Sequence, residues 1–290
     1  MKGPWTIARS STEYPELLKE IPDPPSKLWV AGSLPSQSPC VAVVGSRKAT
    51  PYGLEVAYWF GGELARSGCT VVSGMARGID SASHLGALDA GAPTVAVLGC
   101  GVDKCYPPSN GRTYRRILAA GAVVSEYELG LKAKRHHFPE RNRIIAGMSV
   151  GVVVVEGTRT GGAMITARLA GEYGREVFCV PGPIHSEFSE GPHGLIRDGA
   201  RCVSSPNDVL EDLGMFKADS ASKELTMTGD QKRVWACLGA DPRLIDSIAS
   251  RCKMPTTTVS SVLARLELAG LATRYEGGRF ARSVTKTTSM

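Results

Sequence analysis

The chain has 290 residues, 42% of them hydrophobic, and a formal net charge of +6. That length buries a substantial core and leaves room for one large domain and a smaller second one. No run approaches the roughly 18 apolar residues that a membrane-crossing helix needs, and the opening stretch lacks the apolar centre of a secretory signal, so the expected compartment is the cytoplasm.

Residues 1–26 are rich in proline and charge and close on the turn-prone run IPDPPSK, which predicts an extended or partly helical lead-in. Residues 27–213 then repeat one pattern: an apolar strand, a glycine turn, an amphipathic helix. CVAVVG leads to LEVAYWFGGELARSG, TVVSG to IDSASHLGALDAG, and PTVAVLG, AVVSE, VGVVVVEG and REVFCVPG continue the series, with YRRILAAG, RNRIIAGMS and AMITARLAGEYG as the later helices. Strands that are continuously apolar suit a parallel sheet covered on both faces. The expected fold is therefore α/β, a Rossmann-like, doubly wound and mostly parallel sheet.

Residues 214–224 read as a linker. From 225 to 283 three short helices, DQKRVWACLG, LIDSIASRC and TTTVSSVLARLELAGL, precede the hairpin ATRYEGGRFAR, the pattern of a winged helix-turn-helix; 284–290 form a tail. Charge is uneven: residues 225–290 hold ten Lys/Arg against five Asp/Glu. The eight cysteines form no C-x-x-C pair, so they read as small buried hydrophobes in a reducing compartment, and no metal is expected.

In open α/β sheets ligands bind beyond the carboxyl ends of the strands, where helix N-termini expose free N–H groups. Three turns there each carry an arginine: Gly45-Ser46-Arg47-Lys48-Ala49-Thr50, Ser73-Gly74-Met75-Ala76-Arg77-Gly78-Ile79-Asp80, and Gly157-Thr158-Arg159-Thr160-Gly161-Gly162. Backbone donors paired with guanidinium forks suit phosphate oxygens. Neither a G-x-G-x-x-G nor a G-x-x-x-x-G-K-[ST] run is present, which disfavours NAD and removes a P-loop. No cofactor is expected.

The stretch from Leu131 to Arg143 holds five Lys/Arg and two His around one phenylalanine, Phe138. Cations that follow a phosphate backbone and an aromatic face for an unpaired base are the two ingredients of single-strand recognition. The expected contacts are Gly45, Ser46, Arg47, Ser73, Gly74, Arg77, Lys134, Arg135, Phe138, Arg141, Asn142, Arg143, Thr160, Gly161 and Gly162. In the winged helix, Arg251, Lys253, Thr257, Ser260 and Arg265 are expected to make a secondary DNA contact.

In serial order, VVGSRKATPYG, SGMARGIDSASHLGAL, GCGVDKCYPPSN, SEY, HFPERNRIIAGMS, VVVVEGTRTGGAMITARLA, GREVFCVPGP and GPHGLIRDGA resemble the DNA-processing protein A (DprA/Smf) family. The resemblance implies a non-enzymatic protein that binds incoming single-stranded DNA, protects it and helps load the RecA recombinase in natural transformation, as a homodimer. It also implies that Arg47 falls on the family's phosphate-binding arginine, and Lys134 to Arg143 with Phe138 on its basic and stacking residues. One departure is that the helical domain many members carry ahead of the lead-in has no counterpart here, so no role specific to it is expected.

Two other readings use the same residues. Rossmann-like nucleotide hydrolases of the lysine-decarboxylase-like (LOG) group set Gly-Thr turns beside a carboxylate, and Glu156 and Glu126 offer an acid and a base, although the P-G-G-x-G-T-x-x-E run of that group is not reproduced. Alternatively the winged helix is a transcription factor's DNA reader and the α/β domain a ligand sensor, a reading in which the basic stretch around Phe138 has no purpose.

Overall fold

The computed structural model describes residues 3–35, 38–215, 229–239, 241–268 and 271–282. The chain divides into two compact units, residues 1–217 and 218–290. Most of the expected linker, from 216 onward, and the tail at 284–290 lie outside the described residues.

The first unit opens with β1 (Trp5–Ala8), α1 (Glu16–Lys19) and β2 (Lys27–Gly32). It continues through β3 (Cys40–Val44), α2 (Pro51–Arg66), β4 (Thr70–Ser73), α3 (Ile79–Asp89), β5 (Thr94–Val97), a 3-10 turn (Pro108–Asn110), α4 (Gly111–Ala120), β6 (Ala122–Ser125), α5 (His137–Met148) and β7 (Gly151–Val154). α6 (Gly162–Glu172), β8 (Glu176–Cys179), α7 (Glu190–Arg197), β9 (Arg201–Cys202) and α8 (Pro206–Asp212) complete it. The nine strands lie in the order β1-β2-β6-β5-β4-β3-β7-β8-β9. From β6 to β9 every pairing is parallel, while β2 runs antiparallel to β6 and β1 to β2.

The unbroken apolar strands are explained by two-sided burial. Along β3, Val41 and Val43 enter one hydrophobic cluster and Ala42 and Val44 the other; along β7, Val153 opposes Val152 and Val154 in the same way. A period of two with both faces covered favours apolar residues at successive positions of the strand. The expected Rossmann-like fold is what forms.

The lead-in, a short strand and a helical turn, joins the main sheet. Its strand β1 pairs Trp5 with Val30 and Ala8 with Lys27, and Ile7, Tyr14, Leu18 and Ile21 are buried in the main core. Tyr14 donates its hydroxyl to Pro25 O at 2.8 Å. The prolines and charges that suggested an extended lead-in lie between these apolar anchors. Burial of the cysteines holds for Cys69, Cys100, Cys179 and Cys252 but not for Cys202, which is exposed on the edge strand β9.

Strand order reverses between β3 and β7: the chain steps outward from β3 through β4 and β5 to β6, then returns to β7 on the other side of β3. Carboxyl ends separated by such a reversal open a crevice, the usual ligand position in this architecture. The arginine-bearing turns after β3, β4 and β7 all lie on that edge.

The second unit contains α9 (Gly229–Cys237), β10 (Arg243–Leu244), α10 (Ile245–Cys252), α11 (Thr256–Leu268), β11 (Ala272–Tyr275) and β12 (Arg279–Arg282). Its three strands form the sheet β10-β12-β11. Val234, Trp235, Ile248, Val259, Leu263, Leu266 and Phe280 make its core, and the Arg282 guanidinium lies 3.7 Å from the Trp235 ring centroid. This is the expected winged helix with one short strand, β10, added.

Candidate nucleic-acid interface

At the switch point, Thr50 caps α2. Its hydroxyl accepts from Gly53 N at 3.1 Å and donates to Glu156 Oε1 at 2.6 Å, while its own N–H donates to Glu156 Oε2 at 2.9 Å. The Glu156 side chain, only 6% exposed, therefore ties the turn after β3 to the turn after β7. Between these anchors Ser46 Oγ accepts from Lys48 N at 3.0 Å, and Arg47 and Lys48 stand exposed. The neighbouring turn presses close: Gly78 has φ +80, and a Cβ there would lie 2.2 Å from Ser46 O. Glycine is required at that position on both counts.

Beneath the turns lies a buried polar floor. Ser73 donates to Val43 O at 2.7 Å, and Asp80 Oδ2 accepts from Gly74 N at 3.1 Å and Ala76 N at 3.2 Å. From α5, Arg141 Nη1 donates to Gly74 O at 2.8 Å and to Val97 O. A Cβ on Gly74 would meet that guanidinium at 2.4 Å, so the glycine is there to admit the arginine. Burial lowers Arg141 to about 10 against the pull of Asp80, and burial raises the Asp80 carboxyl against the pull of Arg141. His84, fully enclosed next to this pair, is lowered to about 3 by burial and then by the Arg141 charge. Its Nδ1 lies 2.7 Å from Thr94 Oγ1, whose proton goes to Val71 O, so the imidazole is the neutral tautomer donating from Nδ1.

The rim above is open. Phe138, half-buried at the start of α5, has the Arg47 guanidinium 4.9 Å from its ring centroid and the Tyr106 ring 5.4 Å away at 31°. Below them His137 is buried, with Nδ1 3.0 Å from Gly99 O and its ring stacked on Tyr127 at 4.2 Å. Arg77, Lys134 and Arg135 are exposed, and among the described residues they and Arg47 make no ion pair. The cleft lined by Arg47, Gly74, Arg77, Tyr106, Phe138 and Arg141 encloses only about 60 Å³. That space is of the size of a few water molecules.

Residues 5–214 match the family described as DNA recombination-mediator protein A, and residues 217–278 match the DprA winged helix domain. The chain belongs to the DNA recombination-mediator protein A family. It is 40% identical to the protein Smf of Escherichia coli K12 over 283 residues, which is 94% of this chain and 76% of that one. To the DNA processing protein DprA of Bacillus subtilis it is 40% identical over 214 residues, 73% of this chain and 72% of that one. Among solved structures, DprA from Streptococcus pneumoniae superposes with a TM-score of 0.68 at 40% identity, over 71% of this chain and 73% of that one. DNA processing protein A from Helicobacter pylori, whose structure was reported for its single-stranded DNA binding mode, gives 0.65 at 28% identity over 72% of this chain and 95% of that one. The resemblance to DprA/Smf and the fold class read from the strand and helix pattern are thus borne out.

Within this recombination-mediator chain the expected basic stretch is not one exposed arm. Helix α5 begins at His137, four residues before RNRIIAGMS, and the helix turns its arginines away from the rim. Arg141 is 4% exposed and Asn142 8%, the latter donating Nδ2 to Gly162 O at 3.2 Å. Arg143 is clamped by Glu126 through Nη1 at 2.9 Å and Nη2 at 2.7 Å, with Asp23 3.2 Å from Nε. These three side chains are structural in the unbound protein, and so is that of buried Ser73, whose hydroxyl is spent on Val43 O. Gly45 is likewise a packing residue: a Cβ would meet Ile79 at 2.5 Å. Thr160 is exposed and Gly161 and Gly162 open α6, next to the turn held by Glu156.

Tyr106 was not among the expected contacts; the run CYPPSN carried the only sign of it. Of the two carboxylates offered for hydrolysis, Glu156 is consumed by Thr50 and Glu126 by Arg143. In the winged helix Arg251, Lys253, Thr257, Ser260 and Arg265 are all exposed, and on α11 Val259, Val262, Leu263 and Leu266 point into the core. Among the described residues no group of three or more His, Cys, Asp or Glu could hold a metal, and no helix is long and apolar enough to cross a membrane.

Proposed function

We propose that this recombination-mediator protein binds single-stranded DNA along the carboxyl-end rim of its first unit, and that it does so as a binding protein without a catalytic step. One observation carries the reading: the cations Arg47, Arg77, Lys134 and Arg135 are exposed and none is held in an ion pair among the described residues, and Arg47 and Arg77 line one cleft with two accessible aromatic rings, Phe138 and Tyr106. Unpaired guanidinium and ammonium groups release condensed counterions when they meet phosphates, and a ring face stacks an unpaired base that a duplex keeps for itself. The single-strand binding reported for the Helicobacter pylori relative supports the same reading. Thr160, Gly161 and Gly162 extend the phosphate path from the neighbouring turn. Arg141, Asn142, Arg143, Ser73 and Gly45 shape and brace it, with Gly74 and Ser46 supplying its backbone.

Within the recombination role of the family, this chain protects an incoming strand and assists loading of RecA in the cytoplasm, working as a homodimer. The exposed face of α11, with Arg251, Lys253 and Arg265 around it, makes a secondary contact with duplex phosphates. Binding of oligo-dT and of duplex of equal length, measured by anisotropy across a salt series, tests the reading. With about two to four phosphates neutralised per protomer, the logarithm of affinity falls with the logarithm of salt at roughly −1.4 to −2.8. Arg47→Ala is expected to flatten that slope by about 0.7. A duplex preference favours the transcription-factor reading, an unchanged slope takes Arg47 out of the site, and release of free base from nucleoside monophosphates revives the hydrolase reading.

A further inference from the structure

Cys237 and Cys252 lie far apart in the chain, and folding of the second unit brings them together. Cys237 is the last residue of α9 and Cys252 the last of α10. Each follows a fully buried residue by one helical turn, Val234 and Ile248 respectively, so both thiols lie on the faces through which the two helices pack. The two side chains are in hydrogen-bond contact with each other.

The backbone around both sulfurs is fastened. Arg243 Nη1 donates to Cys237 O at 2.9 Å and Arg233 Nη2 to Cys252 O at 3.1 Å, so a guanidinium caps each helix end. Arg282 N donates to Gly239 O at 2.8 Å and Met254 N to Ala249 O at 3.1 Å, which fixes the segments that leave the two helices. The fold thus holds the sulfurs side by side before any reaction, and a bond between them is an intramolecular step.

The two thiols are not equivalent. Cys252 is 6% exposed and its Sγ lies 2.9 Å from Ile248 O; burial, and next the neighbouring Cys237, push its thiol up. Cys237 is half-buried and is the more accessible of the two. One reachable thiol beside one shielded thiol is an arrangement in which a small oxidant meets the first and the second resolves the product.

We infer that Cys237 and Cys252 are a reversible oxidation site for hydrogen peroxide, forming a disulfide that ties the end of α9 to the turn between α10 and α11. The inference stands apart from the DNA-binding reading and does not rest on it. The Cys237 thiolate attacks one peroxide oxygen: the O–O bond breaks, a sulfenic acid forms, and the other oxygen takes up the thiol proton and leaves as water. The Cys252 sulfur then attacks the sulfenyl sulfur: S–S forms, S–O breaks, and the departing hydroxyl takes the Cys252 proton as a second water. Two thiols lose two electrons and two protons, and one peroxide becomes two waters. A dithiol reductant reverses the bond by exchange. Lys253, next to Cys252, holds a left-handed conformation at φ 51, so the disulfide forms at the base of the helix-turn-helix.

The test treats the reduced full chain with about equimolar hydrogen peroxide, alkylates the remaining thiols and maps the peptides by mass without reduction. The expected product joins the Cys237 peptide to the Cys252 peptide, is lighter than its parts by about two mass units, and is lost on adding dithiothreitol. Cys237→Ser is expected to leave Cys252 alkylatable after the same treatment, and Cys252→Ser to let dimedone trap a sulfenic acid at Cys237. Should Cys252→Ser fail to fold, Cys237→Ser, at the half-buried position, decides alone. Thiols that stay alkylatable in the folded chain at a dose that oxidises them in the urea-unfolded chain overturn the inference. So does oxidation of Cys252 at the wild-type rate in Cys237→Ser, or a disulfide that joins either thiol to another cysteine in its place.

Discussion

Arg47 and Arg141 line the same cleft and live in opposite physical states. Arg47 stands in solvent with only the Phe138 ring beneath it, whereas Arg141 is 4% exposed and fixed to the carbonyls of Gly74 and Val97 beside Asp80. The rim to which Arg47 belongs has cations to spare; on the floor the Arg141 guanidinium is committed to backbone carbonyls. A flexible, hydrated cation is what a polyanion recruits. A buried one shapes the backbone that presents the others, because a charge already paired inside the fold cannot be moved to a phosphate without leaving its partner stranded.

The largest effect is expected from Arg141→Ala, which leaves Asp80 buried without its counter-charge and two carbonyls without a donor. Each buried carbonyl left without a donor costs about 1–3 kcal/mol of stability, read as a lower urea midpoint. If the variant instead unfolds like wild type but loses the salt dependence of DNA binding, Arg141 belongs to the rim and the division between rim and floor is wrong.

The floor also titrates. His84 has an ordinary imidazole near 6.5 when the chain is unfolded but about 3 when folded, lowered by burial and then by the Arg141 charge. Between those values the unfolded chain holds the extra proton, so stability falls as pH drops from about 6.5 toward 3. Asp80, raised by burial, acts in the opposite sense, contributing stability below the ordinary carboxylate range that is lost as pH rises through its folded value. In His84→Gln the plot of unfolding free energy against pH should be shallower between pH 6 and 4, by up to about 1.4 kcal/mol per pH unit. An equal slope in both proteins means that His84 is solvated, not part of a closed floor.

The rim was legible in the sequence and the floor was not, for a physical reason. Arg47, Arg77 and the glycines around them follow apolar strands directly, and where a strand ends the chain must turn at the sheet edge, so position alone exposes them. Arg141 and Arg143 lie on a helix, where a shift of two residues rotates a side chain from solvent to core. Whether they are free depends on Asp80, Glu126 and Asp23, which reach them only after folding. Phe138 stands out in the sequence because charge surrounds it; Tyr106 does not, because its ring partner comes from a different segment. That the lead-in packs into the main core was not legible, because its apolar anchors, Ile7, Tyr14, Leu18 and Ile21, are widely spaced along the chain.

The sharpest version of the comparison is within α5, where Arg143 lies five residues beyond Phe138 and yet belongs to the floor. Its bidentate hold on Glu126 is 15% and 20% exposed on the two side chains, and Asp23 brings the lead-in to the same guanidinium. Arg143→Ala should therefore cost about 1.5–3 kcal/mol of stability, the worth of charge-assisted hydrogen bonds in a partly buried setting. Because Asp23 loses its anchor, cleavage by a protease in limited digestion should move first to the lead-in. Affinity for oligo-dT and its salt slope should stay at the wild-type values. A slope flattened by about 0.7 shows the guanidinium letting go of Glu126 to reach a phosphate, and then the pairing in the unbound protein is a latch that DNA opens.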